Sequence, residues 1–312
     1  MAKVLVVGGA GLVGAALRRS WEGRGAQVWA ADLRRPPGPR GLRLDMQDER
    51  AVRAALAEMA PEVVAVPAAN PHVDYCELHP EETRRVNVDG TLNVARACRD
   101  SGARMAFFSS DYVFDGAQGA CREDDPVCPL NEYGRQKAAA EAGVLAASSR
   151  NLVIRTSTVF GWQTEPKNLV LQILRRLAAG ETMHIASDIL CNPTYVENLA
   201  EVTVELAERG LSGVFHVVGA QRLKRIEFAR LAAETFGLDA ALLLPVPSSQ
   251  LTAPAPRPRD LTLLTDKVRA AVSLPLWGAR AGLERMHALR GAWRDRASGG
   301  LPGRDRAGPP SV

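Results

Sequence analysis

A doubly wound, mostly parallel α/β sheet is the fold this sequence predicts, on three observations. Short apolar runs alternate with longer helical stretches through the first half of the 312-residue chain. The first run, Val4–Val7, leads directly into Gly8-Gly9-Ala10-Gly11-Leu12-Val13-Gly14, a G-x-x-G-x-x-G turn. The second run, Gln27–Ala31, ends on Asp32. Strand, glycine turn, helix, strand and acid, in that order, are the fingerprint of a dinucleotide-binding sheet.

Val4–Val7 is apolar throughout rather than alternating, as a strand covered on both faces requires. Gly8, Gly11 and Gly14 then serve a tight turn, close backbone approach to a pyrophosphate, and close packing of helix on strand. The helix over 12–22 offers free N–H groups and a positive dipole end to the anion. Asp32 sits where an acid accepts both adenosine ribose hydroxyls. Further strands are expected at Gly41–Leu44, Val63–Pro67, Arg104–Ser109 and Leu152–Arg155. Helices are expected at Asp48–Met59, Glu77–Ser101 and Glu132–Ser149. Such alternation implies right-handed crossovers, with ligands bound beyond the carboxyl ends of the strands.

After about Gly161 the pattern changes. Helices are expected at 166–180, 194–209 and 226–236, with strands at Val214–Val218 and Ala240–Val246. Prolines 254, 256 and 258 then break regularity. The expected division is a dinucleotide-binding domain over 1–160, to whose sheet later segments can add strands, and a smaller, mainly substrate-binding lobe over 161–293. Residues 294–312 are rich in Gly, Pro, Ser, Arg and Asp, and a disordered tail is expected there.

Composition narrows the function classes. The chain is 46% hydrophobic and 24% charged, with a net charge of only +4, so no nucleic-acid partner is expected. The five cysteines, Cys76, Cys98, Cys121, Cys128 and Cys191, include no C-x-x-C pair, which suits free thiols in a reducing cytoplasm. The histidines form no H-E-x-x-H or similar cluster, so no catalytic metal is expected. Neither a signal peptide nor an apolar run of about 18 residues is expected to direct the chain to a membrane.

The chemical signature is Tyr133-Gly134-Arg135-Gln136-Lys137. Y-x-x-x-K on a helix puts both side chains on one face. A nearby ammonium lowers the phenol from its usual value of about 10. Tyr133 is then a proton donor to a carbonyl, or a base in the reverse direction, and Lys137 can also reach the nicotinamide ribose. Ser109-Ser110-Asp111 falls at the carboxyl end of the expected central strand, where a Ser110 hydroxyl can donate to the same oxygen. A turn or a helix cap is the alternative reading of Ser110.

On these residues the chain resembles the extended short-chain dehydrogenases/reductases, a Rossmann-fold superfamily. Within it the chain looks most like the dTDP-4-dehydrorhamnose reductases and close nucleotide-sugar reductases. The resembling segments are VVGGAGLVG, VNVDGT (86–91), SSDYVFDG (109–116), EDDPVCPLNEYGRQK (123–137), RTSTVFG (155–161), NPTYVENLA (192–200) and RPRDLTLLTDK (257–267). They span nearly the whole chain before the tail.

The resemblance implies roles by position. Gly8, Gly11, Leu12, Val13 and Gly14 would cradle the pyrophosphate, and Asp32 would hold the adenosine ribose. Asp45 and Met46 would flank the adenine. Ala68, Ala69 and Asn70 would line the nicotinamide side, and Asn87 would stand at a structural and relay position. Ser110, Tyr133 and Lys137 would be the catalytic set. Asp111, Thr158, Lys167 and Asn168 would lie beside the substrate, and Arg257 would bind its diphosphate. Bidentate guanidinium–phosphate pairing gives Arg257 that capacity, although an exposed arginine in a proline-rich loop is the plainer reading.

The implied activity is NAD(P)H-dependent reduction of a 4-keto sugar nucleotide, such as dTDP-4-dehydrorhamnose. Asp32 favours an unphosphorylated ribose and hence NAD, whereas Arg34 and Arg35 could meet a 2′-phosphate or simply be solvated. Thr158 replaces a tryptophan usual in the rhamnose-forming enzymes, and the segment holding His72 and Tyr75 also departs, which opens the identity of the sugar. Asp111-Tyr112 lacks the second acid of the superfamily's dehydratases. The resemblance admits two other roles: a non-catalytic subunit like methionine adenosyltransferase β, and a nucleotide-sugar epimerase. Members commonly dimerise through helices flanking the sheet, so a homodimer is an expectation.

Overall fold

The computed structural model describes residues 1–34, 38–165 and 167–293. Arg35, the expected helix start at Pro166 and the tail 294–312 lie outside the described residues.

The chain opens with β1 (Lys3–Val7), α1 (Leu12–Gly23), β2 (Gln27–Asp32), β3 (Gly41–Arg43), α2 (Glu49–Met59) and β4 (Val63–Val66). It continues through α3 (Val73–Leu78), α4 (Pro80–Arg84), α5 (Thr91–Ser101), β5 (Arg104–Ser110), α6 (Glu132–Ala147) and β6 (Leu152–Thr156). Later come β7 (Val159–Phe160), α7 (Leu169–Ala178), β8 (Met183–Ala186), β9 (Leu190–Cys191), β10 (Thr194–Tyr195), α8 (Val196–Glu208) and β11 (Gly213–His216). The last are β12 (Leu223–Lys224), α9 (Arg225–Thr235), β13 (Leu243–Val246), α10 (Asp266–Ala271) and α11 (Ala279–Ala288).

Seven strands form one sheet in the order β11-β6-β5-β4-β1-β2-β3, and every pairing is parallel. The chain runs outward from β1 through β2 and β3, then crosses to β4 and runs the other way. The order therefore reverses between β1 and β4, the switch point beyond whose carboxyl ends open α/β sheets bind their ligands. The strand expected at Val214–Val218 joins this sheet as its edge strand, β11, beside β6.

Both faces are covered, which explains the uninterrupted apolar strands. On one face Ala16, Leu17 and Trp21 of α1 pack with Leu199, Val202 and Leu206 of α8. On the other, α2, α5 and α6 contribute Val52, Leu56, Val94, Cys98, Ala140 and Val144. A separate core gathers Phe160, Ile173, Tyr195, Phe228, Leu243 and Met286 from α7, α9, α11 and short strands.

Three expectations change. The single helix expected over Glu77–Ser101 is divided into α4, a π-helical stretch at Arg85–Gly90, and α5, and Glu77 itself belongs to α3, which ends at Leu78. Pro80 accounts for the first break, because it lacks an N–H and is accommodated at the start of α4. The π stretch turns Asn87 fully inward. The strand expected from Ala240 begins only at Leu243, after a 3₁₀ turn whose Ala241 N–H is held by Asp239 at 2.8 Å. The helix expected over 166–180 starts at Leu169 because Asn168 caps it, accepting from the Leu171 N–H at 3.2 Å.

Candidate active site

The glycine turn builds an anion cradle. Gly8 has φ +92°, and a Cβ there would lie 2.8 Å from the Ala68 backbone nitrogen, so the loops after β1 and β4 touch backbone to backbone. A Cβ on Gly14 would collide with the Gly8 carbonyl oxygen. One on Gly11 would meet nothing nearer than 3.4 Å, so Gly11 leaves open space rather than filling it. Gly11 is the N-cap of α1, no side chain among the described residues caps that terminus, and the first turn holds no acidic residue. The Leu12 and Val13 side chains pack against the core. Free N–H groups, a positive dipole end and space for a close approach fit a dinucleotide pyrophosphate.

Asp32 ends β2 and accepts from the backbone N–H groups of Ala10 at 3.4 Å and Arg34 at 3.2 Å. Beyond β3, Asp45 accepts from the Gln47 N–H at 2.9 Å. Met46 follows Asp45 in the same loop. It is 5% exposed inside the core, and its carbonyl accepts from Asn93 at 3.0 Å. Ala68, Ala69 and Asn70 follow β4 as expected. Asn87 clamps them: its Oδ1 accepts the Asn70 N–H at 2.7 Å, and its Nδ2 donates to the Asn70 carbonyl and, at 2.8 Å, to Gln136 of α6. One buried amide thus ties the β4 loop to the helix that bears Tyr133.

Ser110, Tyr133 and Lys137 come together from β5 and α6, and all three are buried. The Lys137 ammonium donates to the Phe108 carbonyl at 2.7 Å and lies 5.9 Å from the Tyr133 ring centroid. Burial lowers Lys137 to about 8, opposed by the Glu141 carboxylate. Ser110 donates to Asp111 at 2.8 Å. Burial pushes Asp111 up to about 6, against hydrogen bonds from Ser157 and Ser110. The expectation of a lowered Tyr133 phenol does not hold for the protein alone. Burial raises it, the Asp111 charge adds to that, and the hydrogen bond with Ser110 only partly offsets them.

The substrate-side residues separate into two groups. Asp111 is 4% exposed, and Thr158 follows its partner Ser157 with φ +42°. A left-handed backbone at a β-branched residue costs about 1–3 kcal/mol and is typically stored at a working site. By contrast, Lys167 is exposed and paired with Glu165 at 2.7 Å. Asn168 is engaged on both sides, capping α7 and donating to the Gly161 carbonyl at 3.0 Å. Arg257 pairs with Asp74 at 2.9 Å, and its charge partly offsets the upward push that burial gives the Tyr112 phenol.

Several supporting residues were not anticipated. Tyr112 meets Tyr133 edge-on, with centroids 5.8 Å apart. A Cβ on Gly134 would strike the Tyr112 carbonyl, so the glycine after Tyr133 lets α6 approach the 3₁₀ turn Asp111–Val113 that follows β5. Asn131 caps α6 through the Gly134 N–H at 2.9 Å and donates to the Pro256 carbonyl at 2.9 Å. Its asparagine-before-helix signal was available, although its partner 125 residues away was not.

Among the described residues no group of His, Cys, Asp or Glu is arranged to hold a metal, and no helix is long and apolar enough to cross a membrane.

The family model described as RmlD substrate binding domain matches residues 2–290. A dTDP-4-dehydrorhamnose reductase of Streptomyces griseus is 35% identical over 310 residues, 96% of each chain. The crystal structure of the Bacillus anthracis dTDP-4-dehydrorhamnose reductase in complex with NADP superposes with a TM-score of 0.85 and 26% identity, covering 92% of this chain and 99% of that one. MoeE5 in complex with UDP-glucose and NAD superposes with a TM-score of 0.80 and 27% identity, over 95% and 100% of the two chains.

Proposed function

The chain belongs to the RmlD substrate binding domain family, and from that premise we propose that it reduces the 4-keto group of a sugar nucleotide with NADH or NADPH. The substrate is a dTDP-4-dehydro-6-deoxyhexose such as dTDP-4-dehydrorhamnose. The observation that carries the reading is the meeting of Ser110, Tyr133 and Lys137 in a chain that also has a glycine-built α1 terminus.

When bound, the nicotinamide dinucleotide supplies the hydride taken up by the keto carbon. In this reading Tyr133 gives its phenolic proton to the keto oxygen, so that C=O becomes CH–OH. A proton donor must begin protonated, and the burial that raises Tyr133 keeps it so. The alkoxide it meets is more basic than any phenol, so the transfer runs toward the sugar. Ser110 turns its hydroxyl from Asp111 to the same oxygen and orients it. Lys137, fixed by the Phe108 carbonyl, compensates the phenolate left behind. Asp32 supports NADH as the preferred reductant, because a carboxylate repels a 2′-phosphate. Five free cysteines support a reducing, cytoplasmic setting.

The test is incubation with dTDP-4-dehydrorhamnose and related dTDP-keto sugars, with NADH and NADPH in parallel. Reduced sugar nucleotide formed in step with cofactor oxidation supports the reading. Cofactor binding with no turnover of any 4-keto sugar nucleotide overturns it.

A further inference from the structure

The loop 254–258 carries Arg257, and one acidic residue holds this loop twice. Asp74 lies in the first turn of α3. Its Oδ1 accepts the Ala255 N–H at 3.1 Å, and its Oδ2 pairs with the Arg257 guanidinium at 2.9 Å. Arg257 also donates to the Ala255 carbonyl at 2.9 Å, which folds the side chain back along its own loop. On the other flank Asn131, the cap of the helix that bears Tyr133, donates to the Pro256 carbonyl at 2.9 Å. The loop is therefore fixed between α3 and α6, with its one guanidinium turned onto a carboxylate.

That pairing has the makings of an exchangeable contact. The side chains are 23% and 43% exposed, so water reaches both and the ion pair is weak. A guanidinium has five N–H donors in a planar fork that matches phosphate oxygens as well as carboxylate oxygens. A diphosphate brings more negative charge than Asp74 and can take two donors at once. Its arrival places two anions on one cation, and Asp74 must withdraw or be repelled.

We propose that Asp74 is an internal competitor of the substrate diphosphate: it holds Arg257 in place before binding and is displaced on binding, which weakens the affinity for every ligand that uses Arg257. The proposal rests on the reading of Arg257 as a diphosphate contact. Asp74 is a positioning residue here, since it acts through the guanidinium and touches no reacting atom.

The experiment measures thymidine diphosphate binding by calorimetry to the full chain and three variants. Asp74→Asn removes the charge and keeps an oxygen acceptor for the Ala255 N–H, so the loop stays tied. It is expected to tighten binding by about three- to five-fold, the scale of one water-exposed ion pair, and more at low salt. Arg257→Gln is expected to weaken binding, and Asp74→Asn added to Arg257→Gln is expected to change nothing further. If Arg257→Gln binds as the natural chain does, the diphosphate reading of Arg257 fails and the proposal with it. If Arg257→Gln weakens binding while Asp74→Asn leaves it unchanged or weaker, the competitor role alone is overturned.

Discussion

Lys137 follows Tyr133 by one helical turn, and its ammonium bonds the carbonyl of Phe108, two residues before Ser110 on the neighbouring strand. One hydrogen bond of 2.7 Å therefore fixes the spacing between the helix and the strand that supply the three catalytic candidates.

Because burial lowers Lys137 to about 8, its charge is lost just above neutrality. The expected kcat/KM for ketone reduction falls as pH rises through about 8, since this parameter reports groups of the free enzyme. Lys137→Arg keeps a positive charge and should move that limb to higher pH while lowering the maximum. A kcat/KM profile that stays flat well above 8, measured over a series of buffers, would contradict the role.

The glycines make separable contributions. Gly14→Ala places a methyl against the Gly8 carbonyl and should reduce both thermal stability and dinucleotide affinity. Gly11→Ala meets nothing nearer than 3.4 Å and should leave the melting temperature nearly unchanged. Its dinucleotide affinity should nonetheless fall by about ten-fold or more, the scale of a close backbone contact blocked by one methyl. Titration of nicotinamide fluorescence beside a melting curve checks both.

Arg155 of β6 and Glu141 of α6 form a bidentate pair with both side chains 5% exposed. Removing one charge strands the other in the interior. Glu141→Gln is expected to cost about 3–5 kcal/mol of unfolding free energy, read from urea denaturation.

His216 lies against that pair, fully buried, and burial with the nearby Arg155 lowers it to about 3. It stays neutral in the folded chain while the unfolded chain protonates it near 6.5. Between these values the unfolded state holds one more proton, so stability is full above about 6.5 and declines by roughly 1.4 kcal/mol per pH unit as pH falls toward 3. His216→Gln should remove about one proton from the pH dependence of the urea midpoint over that window.

The parallel sheet was legible because a strand buried on both faces must be apolar at every position, as Val4–Val7 and Val63–Val66 are. Tyr133 and Lys137 were legible because their relationship is local, four residues along one helix. Asp74, Asn131 and Ser157 were not, since each acts through a residue distant in sequence or beyond its own strand. Asn87 lay between: its position was expected, but the π turn that drives it inward was hidden in a run that reads as ordinary helix. Pro80 was the signal that this run divides. The shift of Tyr133 was misread because spacing to Lys137 reveals an attraction and says nothing of how deeply the phenol is buried.

The most direct measurement follows deuterium from nicotinamide-deuterated NADH or NADPH into dTDP-4-dehydrorhamnose. The expected result is one deuterium bonded to C4 of the product sugar, read by mass spectrometry and NMR. Tyr133→Phe should slow its formation by about 10²–10⁴-fold without loss of dinucleotide binding. A product lacking the label, or a Tyr133→Phe variant that transfers it at the natural rate, would contradict proton delivery by Tyr133 beside a bound nicotinamide.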